Sequence, residues 1–551
     1  MHVMRQSKLL GLLAALAILL TVASRLIHLD ADPPTGFIQS DIGFHIDEGY
    51  KTLSPRNLVR FGKQLTQEND QYDGWMKSSP ATQWPYIWSL KAAGNTDLAS
   101  ARYVSIAYFS LFLLTAFALL VKYHGTSWAF LLVAILASDI SLFHFSRTAI
   151  FEIAVTFFIY TGIALSFSQR SRSIYFSVAT LLAVGLGASF LVKASAGIYL
   201  FPAIAFICIN EVSERKKNIW FFLLVLNIIA LFIFSTQSIL PQRLYSGITF
   251  SPPINIFYNR IHELSPLIQL VAYLSIVLLL YCKGWKELKK NRYQISLVVI
   301  VVITPLLLGL FSYNPTRYYL PIIPAAVLIT IEALVTWRSY PLKIEANGAD
   351  IQTWLAIAFM CLPVAVCSQG FTIDYVIPYL PTPLNEDLRI SVGMQKKLLP
   401  FITVALLMLA FSTRKSLGNL IHAAVVFGIS VHLVMNATMQ ITTLRTPTFR
   451  SAEVISKLEQ IVGDNEVVGG DWAPFFSAGT NIRALYMEKY FNGAEDILIL
   501  KPSFFLHSHV PNDEINLELL EKNPLVAVGP ATALGQYHQR PIHLYTLTYL
   551  D

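Results

Sequence analysis

Three acids, Asp41, Asp47 and Glu48, lie in the stretch Ser40-Asp-Ile-Gly-Phe-His-Ile-Asp-Glu-Gly-Tyr50, between two long apolar segments. A further acid, Glu152, closes Phe145-Ser-Arg-Thr-Ala-Ile-Phe-Glu152, where one apolar span turns into the next. If these segments share a membrane face, two carboxylates meet Arg147 at the lipid–water boundary. Charge at membrane depth is expensive and is by default a statement about function. A carboxylate held there can take the proton of an incoming hydroxyl as a general base. Asp41, His45 and Tyr50 flank the pair as acceptor-side or supporting groups. Lys193, in Val192-Lys-Ala194, and Arg317, in Asn314-Pro-Thr-Arg-Tyr-Tyr-Leu-Pro321, stand at the outer ends of spans. With Arg147 they suit the phosphate of a membrane-embedded donor, because Arg and Lys hold phosphoryl oxygens through charge-assisted hydrogen bonds.

Plainer readings exist for each group. Adjacent acids are usually a solvated edge, Arg147 and Glu152 could simply cap a turn, and single cations snorkel to headgroups. Two features weigh against them. Asp47 and Glu48 sit among Ile42, Phe44, Ile46 and Tyr50, and Glu152 falls about one turn inside an apolar helix, where an unpaired charge is costly. His45 and His144 could join Asp47 and Glu152 around a metal, but their spacing matches no ligand motif, so no metal is assigned. No cofactor is firmly implied either, because neither a P-loop nor a Gly-rich dinucleotide fingerprint occurs.

The elements that must position these groups are membrane helices. The chain has 551 residues, of which 54% are hydrophobic and only 14% charged. Repeated apolar runs of about 20 residues, each able to cross a ~30 Å hydrocarbon core, make it a polytopic α-helical membrane protein with about thirteen transmembrane helices. The first run, roughly 9–28, exceeds a signal-peptide core and reads as an uncleaved helix. With the N-terminus inside, Lys122, Arg170, Arg215, Lys283–Arg292, Arg338 and Arg414 all fall on cytoplasmic connections, as the positive-inside rule asks. The net charge of +7 therefore punctuates spans and gives no nucleic-acid signal. The four cysteines lie in or beside apolar runs and form no disulfide or zinc pattern.

Two parts follow from this layout. Residues 1–440 form the transmembrane domain, with 29–98 as an external first loop carrying an interfacial amphipathic helix at Pro55–Gly62. Residues 441–551 read as a small extracytoplasmic α/β domain, with a helix at 452–461 and strands at 467–468, 497–500 and 525–528. That domain shows no concentrated acidic, histidine or cysteine group and is expected to carry no chemistry. Its Trp472, Tyr486, Tyr490 and Phe491 either cover the acceptor entrance or form its small core, the core being the stronger reading for Trp472.

Taken in order, Asp47-Glu48-Gly-Tyr50, Arg56 to Gly62, the Pro80 aromatic segment, Phe145-Ser-Arg147 to Glu152, Val192-Lys193-Ala and Arg317-Tyr-Tyr-Leu-Pro321 resemble the GT-C glycosyltransferases. The branch is that of protein O-mannosyltransferases and lipid A aminoarabinose transferases. The resemblance covers residues 1–210 best and returns near 313–325. It implies the GT-C fold and transfer of a hexose or pentose, with inversion, from a polyprenyl-phosphate sugar at the extracytoplasmic face. The acceptor would be a lipid, glycan or protein, and the host a bacterial inner or plasma membrane. It further implies Asp47, Glu48 and Glu152 as catalytic residues and Arg147, Lys193 and Arg317 as donor-phosphate ligands. This chain departs from the pattern in having Glu152 where an Asp is usual, and in lacking a Lys or His in Ser78-Ser-Pro80, which leaves that donor-phosphate contact to Lys77 or to a residue elsewhere. An oligosaccharide transferase or O-antigen ligase, and a flippase or secondary transporter, are the alternative readings. The transporter reading expects charges at the midplane and repeat symmetry, neither of which is seen.

Overall fold

The computed structural model describes residues 2–33, 43–71, 79–167, 173–215, 219–239, 264–309, 315–339, 351–371, 414–487, 492–493, 496–509, 511–538 and 540–550. Its membrane part runs α1 (His2–Leu26), α2 (Gly43–Phe61), α3 (Pro80–Ala93), α4 (Leu98–His124), α5 (Thr126–Ser138), α6 (Ile140–Ser146), α7 (Glu152–Phe167) and α8 (Ile174–Leu191). It continues with α9 (Gly197–Arg215), α10 (Ile219–Ile239), α11 (Pro266–Lys290), α12 (Arg292–Leu308), α13 (Ile322–Ser339), α14 (Ile351–Phe371) and α15 (Arg414–Arg445). Among the described residues, five helices are long and apolar enough to cross a membrane, or six if the bent pair α5–α6 counts as one span. The span expected at 398–412 lies outside the described residues. Leu12, Leu19, Trp220, Phe427 and Val434 are all more than 60% exposed, an apolar outer surface suited to lipid. The protein is an integral membrane protein.

Local chemistry explains the boundaries. Asp97 accepts a hydrogen bond from Ser100 N at 2.7 Å and starts α4, and Gly125 at φ +88° ends it. The continuous span expected over 127–146 is broken, because α5 and α6 meet at 67°. The cause is Asp139, whose carboxylate accepts from Leu142 N at 2.9 Å and so begins a new helix. The segment after α1 differs too. Asp47 and Glu48 lie on a 19-residue helix, α2, which contains the stretch expected to be a separate interfacial helix.

Residues 450–550 build a sheet. α16 (Arg450–Ile461) buries Val454 and Leu458, one turn apart. It precedes β1 (Val467–Gly470), α17 (Ala473–Phe476), β2 (Arg483–Tyr486), α18 (Ile497–Leu500) and β3 (Phe504–His507). α19 (Pro511–Lys522), β4 (Val526–Val528), β5 (Thr532–Tyr537) and β6 (Arg540–Tyr549) complete it. The order is β2-β1-β3-β6-β4, with β5 also on β6; β1 is parallel to β2 and β3, and β6 is antiparallel to its neighbours. The strand expected at 497–500 is a helical turn. Ile497 and Leu500 are buried while Ile499 is 62% exposed, the three-residue spacing of a helix. Trp472 packs in the core with Phe475, Phe476 and Tyr537, and Tyr486 is buried there also. Tyr490 and Phe491 lie outside the described residues.

This sheet unit is fastened to α2. A Cβ on Gly49 would stand 2.5 Å from Phe475 N and 2.7 Å from its Cα, so only glycine lets α2 touch α17. Arg56 Nη2 donates to Pro474 O, Thr66 Oγ1 donates to Ala484 O at 2.5 Å, and Tyr50 stacks on Tyr486 at 4.7 Å. Gly49→Ala should push this seam apart and destabilise the protein by about 1–3 kcal/mol, the usual scale of overpacking. Limited proteolysis near residues 62–71 and a lowered thermal midpoint would register it; a wild-type midpoint would show that the contact is not tight.

Candidate active site

The face of α2 that carries Asp47, Tyr50 and Lys51, at spacings of three and four, is a single helical stripe. Glu152 is the first residue of α7, where the positive end of the helix dipole favours an acid. Lys193 follows the C-terminal end of α8, the preferred place for a cation. Arg317 lies in a 3₁₀ turn, Thr316–Tyr319, which Pro315 leads and Pro321 follows before α13. Three separate helix ends thus meet the α2 stripe.

The resulting contacts are close. Arg317 Nη2 is 2.6 Å from Asp47 Oδ2, and Arg317 Nε is 3.3 Å from Glu152 Oε1. Lys193 Nζ is 2.6 Å from Glu152 Oε1. Lys51 Nζ lies 3.4 Å from Asp47 Oδ2 and 3.9 Å from Glu152 Oε2. Tyr50 OH donates to Asp47 Oδ1. The Tyr318 ring sits 3.9 Å from Lys193 Nζ and closes one wall. Asp47, Lys51, Glu152 and Arg317 are each no more than 5% exposed. Among the described residues, three cations, Lys51, Lys193 and Arg317, meet the two carboxylates of Asp47 and Glu152. Burial holds the Lys51 ammonium down to about 8, against the pull of the Asp47 and Glu152 carboxylates. Glu152 Oε2 makes no hydrogen bond among the described residues and keeps a lone pair for a ligand.

Glu48 points another way. Arg102 grips both its oxygens, Nε to Oε1 at 2.6 Å and Nη2 to Oε2 at 2.7 Å, and Ala149 N donates to Oε1 at 2.8 Å. Arg102 Nη1 also donates to Leu29 O and Ala31 O. The carboxylate of Glu48 therefore joins α2, α4, the end of α1 and the turn before α7. Arg147 is likewise set apart. It donates to the carbonyls of Ser24, Arg25, Ile27 and His28 at the C-terminal end of α1. It lines a cavity of about 420 Å³ with Asp32, Arg102, His144 and Arg450. Asp41 and Lys77 lie outside the described residues, and so does the side chain of His45. Two cations escaped the sequence reading. Lys51 becomes visible only once residues 43–61 are known to be one helix, four residues beyond Asp47, and Arg102 is hidden as the start of an apolar span.

Known proteins add the following. No family model and no curated protein matches the chain. Among solved structures, ArnT from Cupriavidus metallidurans bound to undecaprenyl phosphate matches at 13% identity over 97% of both chains, with a TM-score of 0.48. Its apo form matches at 11% identity over 99% of this chain and 98% of that one, with a TM-score of 0.48. The Archaeoglobus fulgidus oligosaccharyltransferase tethered to an acceptor peptide matches at 11% identity over 98% of this chain and 74% of that one, with a TM-score of 0.46.

Proposed function

We propose that the chain is a membrane glycosyltransferase that moves one sugar from a polyprenyl-phosphate donor to an acceptor hydroxyl or amine, with inversion, at the extracytoplasmic face of a bacterial inner or plasma membrane. The observation that carries this reading is the buried cluster in which Arg317, Lys193 and Lys51 meet the Asp47 and Glu152 carboxylates. A phosphate diester entering it would meet Arg317, Lys193 and Lys51, each able to donate charge-assisted hydrogen bonds. In the displacement, the acceptor oxygen or nitrogen forms a bond to the anomeric carbon as the bond to the phosphate oxygen breaks. The acceptor proton passes to Asp47, and the polyprenyl phosphate leaves with the bonding electrons. The cations stabilise the charge that grows on the phosphate, which is where preorganised electrostatics acts most strongly. Glu152 would orient the acceptor through its open oxygen. Glu48 is assigned to positioning, through Arg102, and Arg147 to the neighbouring cavity wall. About thirteen spans in residues 1–440 and an outer domain in 441–551 complete the proposal.

Two measurements test it. The first is mass spectrometry of the product formed with candidate lipid donors: the mass of one sugar supports the reading, and the mass of a whole glycan moves the protein to the oligosaccharide transferases. The second is a pH profile. As pH rises through about 8, Lys51 loses its proton and the cluster loses one positive charge, so affinity for polyprenyl phosphate should fall. Stability should move oppositely. The Lys51 pKa is depressed on folding from 10.5 to about 8, so the penalty for burying its charge disappears between those values. Lys51→Met should flatten both alkaline trends; an unchanged alkaline fall in affinity would remove Lys51 from the donor site.

A further inference from the structure

Three histidines of the sheet unit converge although 34 residues separate His509 from His543. β3 and β6 pair antiparallel with His507 directly opposite His543, so the two side chains share a face. His509 follows β3 and adopts φ +53°, the left-handed region. One ligand atom from each of the three rings lies within 4.8 Å of the others. His509 Nε2 is 3.3 Å from His543 Nδ1, close to the separation of two nitrogens that share a tetrahedral zinc at about 2.0–2.1 Å. Glu514, in the first turn of α19, brings Oε1 to 2.9 Å from His509 Nδ1 and 3.5 Å from His507 Nε2. His507 is 1% exposed, yet neither of its ring nitrogens makes a hydrogen bond among the described residues. A buried imidazole left so is unusual, since buried polar groups almost always find a partner.

We propose that His507, His509 and His543 bind a Zn²⁺ ion, with Glu514 or water as the fourth ligand. The donor set is right for that ion, because imidazoles with one carboxylate or water suit zinc and tetrahedral geometry. Arg540 Nη1 donates to the His509 carbonyl at 3.3 Å and fixes the backbone of that ligand. The ion would fasten the start of α19 and the segment after β3 to the β6 strand. This corrects the expectation that the region holds no histidine cluster, and it is independent of the transfer chemistry.

The test uses the full chain in detergent, stripped with a chelator and titrated with Zn²⁺ against a chromophoric competitor, and separately with Co²⁺. One equivalent of Zn²⁺ should bind, with the visible absorption of tetrahedral Co²⁺ in the parallel titration. His509→Ala and His543→Gln change residues that are not fully buried, and both should fold as the stripped wild type does. Outer partners of a metal ligand are each worth about 10–100-fold in affinity. Loss of a ligand itself should therefore weaken Zn²⁺ binding by about 100-fold or more. Absence of stoichiometric Zn²⁺ binding, or variants that bind it as tightly as wild type, overturns the site. If one variant does not fold, the other decides alone.

Discussion

Asp47→Asn leaves the helices in place, and transfer falls by about 10²–10⁴-fold, the usual contribution of a positioned proton acceptor. The amide has the size and shape of the carboxylate, so its single oxygen can still accept from Arg317 while its NH2 donates to the Tyr50 hydroxyl oxygen. What it lacks is the negative charge and the basicity. Removing one negative charge beside Arg317 and Lys51 leaves the cations' pull undiminished, so the donor phosphate should bind as tightly as before or more tightly. Turnover collapses while donor affinity holds, and that split separates loss of the base from loss of the site. Wild-type turnover in this variant would remove Asp47 from the chemistry. A parallel loss of donor binding and turnover would show that Asp47 only holds Arg317 in place.

The second large effect falls on stability. Glu48→Gln or Arg102→Leu should destabilise the protein by about 3–5 kcal/mol, because each leaves its partner charge buried and uncompensated. Both residues are essentially excluded from solvent, at 0% and 3% exposure, so water cannot rescue the survivor. The paired replacement Glu48→Met with Arg102→Leu should recover most of the loss, since no lone charge remains. Thermal unfolding of the three variants in detergent reads this directly. A double variant as unstable as the sum of the singles would show that the hydrogen bonds to Ala149, Leu29 and Ala31 matter more than the charges. Transfer by the recovered double variant would establish Glu48 as a positioning residue.

Much of the site was legible because charges are conspicuous in an apolar chain. Asp47, Glu152, Lys193 and Arg317 stand out at the ends of hydrophobic runs, and the structure gathers all four. Lys51 and Arg102 did not stand out. Whether Lys51 faces Asp47 depends on residues 43–61 forming one helix, whereas the sequence reading begins a helix only at Pro55. Arg147 was misjudged for the opposite reason: its sequence neighbourhood places it near Glu152, while its hydrogen bonds run to the carbonyls that α1 leaves open. The bend at Asp139 escaped notice because a capping acid inside an apolar run leaves hydropathy almost unchanged. The histidine cluster needs the β3–β6 register, which short strands of similar composition do not reveal.

The seam at Gly49 bears on how chains of this architecture can be recombined. The helix that presents Asp47 and Lys51 rests its other side on Phe475 and Pro474, with no side-chain layer between the backbones. Outer domains grafted from a relative would therefore bring a foreign surface against a backbone that has no slack. A chimera joined in the linker before α16 should fold but misplace the α2 stripe, unless α2 travels with its own outer domain. Acceptor specificity, if it resides in that domain, would then be inherited together with the first external segment, as one heritable block rather than as an interchangeable part.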